Sequence, residues 1–98
     1  MLDVKRQACQ GNTQTVFTMG RESVAFLVKN YGPATILVCL GEWDESQSVR
    51  IDPGYYQRIV SNLTVGGGER PKTDMVVITP LDESGSDHAA YVEVQRDD

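Results

Sequence analysis

The side chains that could do chemistry in this chain are few. Two acidic clusters stand out, Glu42, Asp44 and Glu45 in one and Asp82, Glu83 and Asp87 in the other, together with the single histidine His88 and the cysteines Cys9 and Cys39. A carboxylate cluster suits calcium, a hard cation that takes six to eight oxygen ligands. Neither cluster has the D-x-D-x-D-G spacing of a calcium loop, and the two would share an ion only if their loops met in space, so both read as solvated loops. His88 beside Asp87 would serve as a base only for a serine or cysteine on a recognisable elbow motif, and the chain has none. Residues 66–73, G-G-G-E-R-P-K-T, have the composition of a phosphate loop but lack both the G-x-x-x-x-G-K-[ST] spacing and the helix that supplies the anion site. Asn62-Leu63-Thr64 matches a glycosylation acceptor, a coincidence in a chain without a secretion signal. The cysteines have no companion Cys or His at metal-ligand spacing; they read as small buried hydrophobes in preference to a disulfide. The expectation is a non-enzymatic protein with no catalytic residue, no cofactor and no metal.

The aromatic residues are the remaining candidates. Tyr31, Trp43, Tyr55 and Tyr56 all fall in or beside turns. Aromatics so placed anchor protein interfaces or stack on sugars; alternatively they seal the ends of a β fold. We take these four as interface candidates.

The elements that must carry them are strands. Val24 to Val28 and Ile36 to Leu40 are short apolar runs joined by Lys29-Asn30-Tyr31-Gly32-Pro33-Ala34, and short runs bounded by Asn, Gly and Pro read as buried strands. Ser48 to Asp52 alternates, putting Val49 and Ile51 on one face. Asp52-Pro53-Gly54 turns the chain, since proline presets φ and glycine accepts positive φ. These three strands are expected to form the central sheet. Around them, Thr15 to Thr18 reads as an edge strand pairing with the Val24 run, Met19 to Glu22 as a turn, and Tyr55 to Val60, Met75 to Thr79 and Ala89 to Gln95 as further strands. Ser61 to Val65 continues as a ragged edge into the glycine loop. Strand-sized segments recur about every 10 to 14 residues with no helical period between them. The predicted fold is all-β: a single antiparallel β-sandwich or barrel, Ig-like or jelly-roll-like, of about seven to eight short strands. It fills one domain, residues 1–98, with residues 1–12 an N-terminal arm or edge strand.

Composition excludes whole classes of partner. A net charge of −5 with scattered Lys and Arg argues against nucleic acid, which demands clustered basic residues. No stretch approaches the roughly 20 apolar residues of a membrane helix. The first residues lack a basic start followed by an apolar block, so secretion by a signal peptide is not expected.

Residues 30–41, N-Y-G-P-A-T-I-L-V-C-L-G, followed by residues 49–59, V-R-I-D-P-G-Y-Y-Q-R-I, resemble a pattern met in small virion proteins of tailed bacteriophages, the capsid decoration and head- or tail-accessory domains with sandwich folds. The likeness spans residues 24–60. Non-viral sandwich domains of Ig-like topology carry the same I-x-P-G turn. The pattern brings no catalytic residue with it. It implies a structural role in the virion: many copies, made in the host cytoplasm, held against one another and against a capsid or tail protein through loops and an N-terminal arm. The alternative is a carbohydrate- or cell-surface-binding module using Tyr31, Trp43, Tyr55 and Tyr56, with calcium at the acidic loops.

Overall fold

The structure, a computed structural model, describes residues 3–61 and 72–97. The expected ragged edge after Ser61, the glycine loop and the Asn62-Leu63-Thr64 acceptor lie outside the described residues. Eight strands form: β1 (Val4–Cys9), β2 (Thr15–Ser23), β3 (Ala25–Pro33), β4 (Ile36–Leu40), β5 (Val49–Ile51), β6 (Tyr56–Val60), β7 (Thr73–Pro80) and β8 (Ala90–Arg96). A single 3-10 turn, Glu45–Gln47, is the one helical piece among the described residues.

The pairing is nested. β1 lies against β8, β2 against β7, β3 against β6 and β4 against β5, all antiparallel. The chain behaves as one long hairpin bent at β4–β5 and then rolled up. Pairing of β3 with β8 and of β4 with β7 completes two four-stranded sheets, β1-β8-β3-β6 and β2-β7-β4-β5. This is the jelly-roll order, built as an open sandwich rather than a closed barrel. Every second residue points inward, as a pleated strand requires. Phe17, Phe26, Val28, Ile36, Val38, Ile51, Ile59, Val76, Ile78, Val92 and Val94 thus meet in one core.

Three expectations are corrected. The Val24 run does not share a sheet with the Ile36 and Ser48 runs: β3 belongs to one sheet, β4 and β5 to the other. Nor does β2 pair with β3; it is an edge strand, but of the opposite sheet. Both errors have one source, since a short loop between two apolar runs reads the same whether it makes a hairpin or carries the chain across the sandwich. Finally, residues 19–22 are not a turn. β2 runs on through them to Ser23, with its register to β7 shifting between Thr18 and Ser23, because Met19 keeps the inward alternation and is buried.

The crossing from β3 to β4 is held by Asn30, whose side chain is buried. Its Oδ1 accepts the Gly32 N–H at 2.8 Å, and its Nδ2 donates to the carbonyls of Ala34 at 2.9 Å and Ile51 at 3.0 Å. Its main chain donates to Tyr55 O and accepts from Gly54 N–H. One residue therefore joins the Gly32-Pro33 bend to the end of β5 and to the Asp52-Pro53-Gly54 turn. Gly32 sits at φ +86°, and a Cβ there would come within 3.1 Å of Pro53 Cβ, so the bend needs glycine for both conformation and space.

Truncating Asn30→Ala strands the buried Ile51 carbonyl, the part-buried Ala34 carbonyl and the buried Gly32 N–H. We expect a loss of roughly 2–5 kcal/mol in urea unfolding. Asn30→Asp should lose as much despite its shape, because an acceptor would replace the donor facing Ala34 O and Ile51 O. An Asn30→Asp variant as stable as the wild type would show that these two bonds are unimportant.

Candidate interaction face

In the rolled hairpin, successive loops alternate between the two ends of the sandwich. The β1–β2, β3–β4, β5–β6 and β7–β8 loops share one end, and the β2–β3 and β4–β5 connections the other. Hydrogen bonds confirm the first grouping: Gly11 N–H donates to Ser86 O, Ala34 N–H to Ala89 O and Leu81 N–H to Thr35 O. This arrangement divides the four interface candidates. Tyr31, Tyr55 and Tyr56 lie at the first end, and half-buried Trp43 lies in the β4–β5 loop at the other. The tyrosines do not close the core: Tyr31 is 58% exposed, Tyr55 68% and Tyr56 69%.

Two of them are set on a sheet face by the strand register. In an antiparallel ladder, directly opposed residues point to the same side. Arg6 on β1 opposes Glu93 on β8, Glu93 opposes Lys29 on β3, and Lys29 opposes Tyr56 on β6. These four side chains form an unbroken row across the outer face of the β1-β8-β3-β6 sheet. The neighbouring row is aromatic. Between the pairs Asn30–Val92 and Pro33–Ala90, β3 spends two residues, Tyr31 and Gly32, against the single Tyr91. This is a β-bulge, which re-aims a side chain. It brings Tyr31 to Tyr91, with ring centroids 6.0 Å apart and planes tilted by 50°. On the other side, Leu27 lies beside Arg58, which is ion-paired to Asp97 at 2.7 Å.

Glu93 is the unusual member. It points away from the core, yet it is only 3% exposed. Its carboxylate accepts from Arg6 Nε at 2.5 Å and pairs with Lys29 Nζ at 3.3 Å. The Arg6 hydrogen bond, helped by Lys29, holds Glu93 below the usual glutamate range against the opposing effect of burial. Arg6 in turn is raised, first by Glu93, and also feels Tyr31 and Tyr91. Two cations thus stand over one sunken carboxylate, edged by three tyrosines. The surface is amphipathic, with polar tips on aromatic bodies.

The other candidates have local duties. Asp44 accepts from Ser46 N–H and Oγ–H at the start of the 3-10 turn. Asp82 does the same for Ser84 and takes the Ser86 N–H, with the Ser84 hydroxyl foremost in lowering its pKa. The two acidic turns lie at opposite ends, so they do not combine. Among the described residues no group of three or more His, Cys, Asp or Glu is arranged to hold a metal ion. His88 is exposed in the β7–β8 loop. Both cysteines are free and buried, and burial pushes the Cys9 thiol up to about 11.

Sequence reasoning passed over Tyr91, Arg6, Lys29 and Glu93. The alternation in A-A-Y-V-E-V-Q does put Tyr91 and Glu93 opposite Ala90, Val92 and Val94, and that signal was there to use. Comparison with known proteins yields no matching family model, no matching curated protein and no matching solved structure.

Glu93 carries a pH prediction. A carboxylate whose folded pKa is lowered adds stability that is fully present above its ordinary value of 4.5 and is lost as pH falls through the folded value. Glu93→Gln should cost about 1–3 kcal/mol at neutral pH and flatten the decline in unfolding midpoint below pH 4.5. Identical acid profiles for the two proteins would refute this role.

Proposed function

We propose that this chain is a non-enzymatic structural subunit, a virion accessory or decoration protein of a tailed bacteriophage, that works by docking its tyrosine-bearing sheet face on other protein subunits. One observation carries this: among the described residues, an organised polar and aromatic surface lies on the outside of a sheet. Glu93 with its two cations, and the bulge that presents Tyr31, are built into strands. Side chains already held by the strand ladder and by ion pairs have less freedom to lose on association. Tyr and Arg are the residues that dominate binding energy at protein interfaces. The bacteriophage assignment rests on the resemblance over residues 24–60.

A second reading has one observation in its favour. The exposed Tyr31–Tyr91 pair beside Arg6 is also a surface on which a sugar ring could stack. Trp43, at the far end, plays no part in it.

The purified protein is expected to associate in light scattering and to co-sediment with assembled phage heads or tails. Tyr31→Ala should reduce that co-sedimentation at least several-fold. A strict monomer with no affinity for particles, whose Tyr31-dependent binding is instead to a glycan, would replace the structural role with the second reading.

A further inference from the structure

The occupant of the tyrosine face can be named from charge. Arg6, Lys29 and Arg58 all stand on this outer face, and its two carboxylates, Glu93 and Asp97, are already engaged by them. The face thus has an excess of one positive charge in a chain of net charge −5. Away from it, Glu42, Asp44 and Glu45 are all exposed in the β4–β5 loop. The β4–β5 loop belongs to the opposite sheet and the opposite end, so its carboxylates cannot reach the face of their own chain.

We propose that the tyrosine face binds the acidic β4–β5 loop of a second copy of this chain, with Glu42, Asp44 and Glu45, in a head-to-tail contact. Two faces placed against each other would bring together two surfaces of the same net positive charge, which is unfavourable at close range. A face against an acidic surface is complementary. Such a contact uses different patches on the two copies, so the pair keeps one unused face and one unused acidic loop. Repetition closes a ring or extends a row. The face itself is small. Four strands about 4.8 Å apart and some six residues long span roughly 14 by 20 Å, well below the roughly 800 Å² per partner of a stable pair. One contact is then weak, and a closed ring or a lattice strengthens it by multivalency. This deepens the subunit reading above and rests on it.

The test is sedimentation velocity of the full chain. Wild type should form species larger than a dimer at about 0.05 M salt and dissociate at about 0.5 M, where the screening length is roughly threefold shorter. Tyr31→Glu with Tyr56→Glu, both at exposed positions, should be monomeric with an unchanged unfolding midpoint. Added to wild type in equal amount, this variant should shorten the oligomers, because it still offers an acidic surface but no face. If the double variant does not fold, Tyr56→Ala and the salt series on wild type carry the test. A species that stops at the dimer, association indifferent to salt, or variants that assemble like wild type would each overturn the contact. So would a salt-independent monomer that binds an acidic peptide or a glycan through the same tyrosines. Particle co-sedimentation that survives Tyr31→Glu with Tyr56→Glu would overturn the contact and leave the subunit reading intact. A monomer that binds no particle would remove both.

Discussion

The fold depends on the buried amide of Asn30. A strand that leaves one sheet for the other must turn its backbone out of the ladder, and each N–H and C=O it releases inside the protein needs a new partner. Asn30 supplies three at once, taking the Gly32 N–H and giving to the carbonyls of Ala34 and Ile51. Only a primary amide has both the acceptor and the paired donors this geometry requires. Serine lacks the reach, and aspartate lacks the donors. With the bend held to the end of β5, the Asp52-Pro53-Gly54 turn is positioned as well, since Pro53 packs on Gly32. The two halves of the rolled hairpin are thus locked together at one point.

The exposed face follows from that lock. The bulge at Tyr31 and Gly32 is the last step of β3 before the crossing, and it aims Tyr31 at Tyr91. Two residue pairs back along the ladder, on the same face, lies Glu93, a carboxylate sunk under its own cations on the solvent side of a sheet. A carboxylate this shielded from water would be costly without both partners. With them it keeps Arg6 and Lys29 in fixed positions among the tyrosines. The same device, a satisfied polar group at a position where the chain could otherwise be plastic, serves the interior at Asn30 and the surface at Glu93.

Much of the architecture was legible along the chain. Alternation in Ser48 to Asp52 and Ala89 to Gln95, and the breaks at Pro33, Pro53 and Pro80, marked strands and their ends, because pleat and proline geometry act locally. The site was legible only in part. Tyr31, Tyr55 and Tyr56 stood out as turn aromatics, but Trp43 was grouped with them although it lies at the other end. Tyr91 and the Arg6–Glu93–Lys29 row went unnoticed because their partners are distant in sequence: Arg6 and Glu93 are 87 positions apart.

By itself, then, the order of residues determined the strands, their faces and their turns, and ruled out familiar catalytic motifs. Each of those depends on dihedral preferences and side-chain periods spanning a few residues. Tertiary structure alone decided which strands share a sheet, that the hairpin rolls up, and that two cations and three tyrosines gather over one carboxylate. Pairing energies in a sheet are similar for many registers. The choice among them is made by how the whole core closes and whether every buried polar group finds its partner.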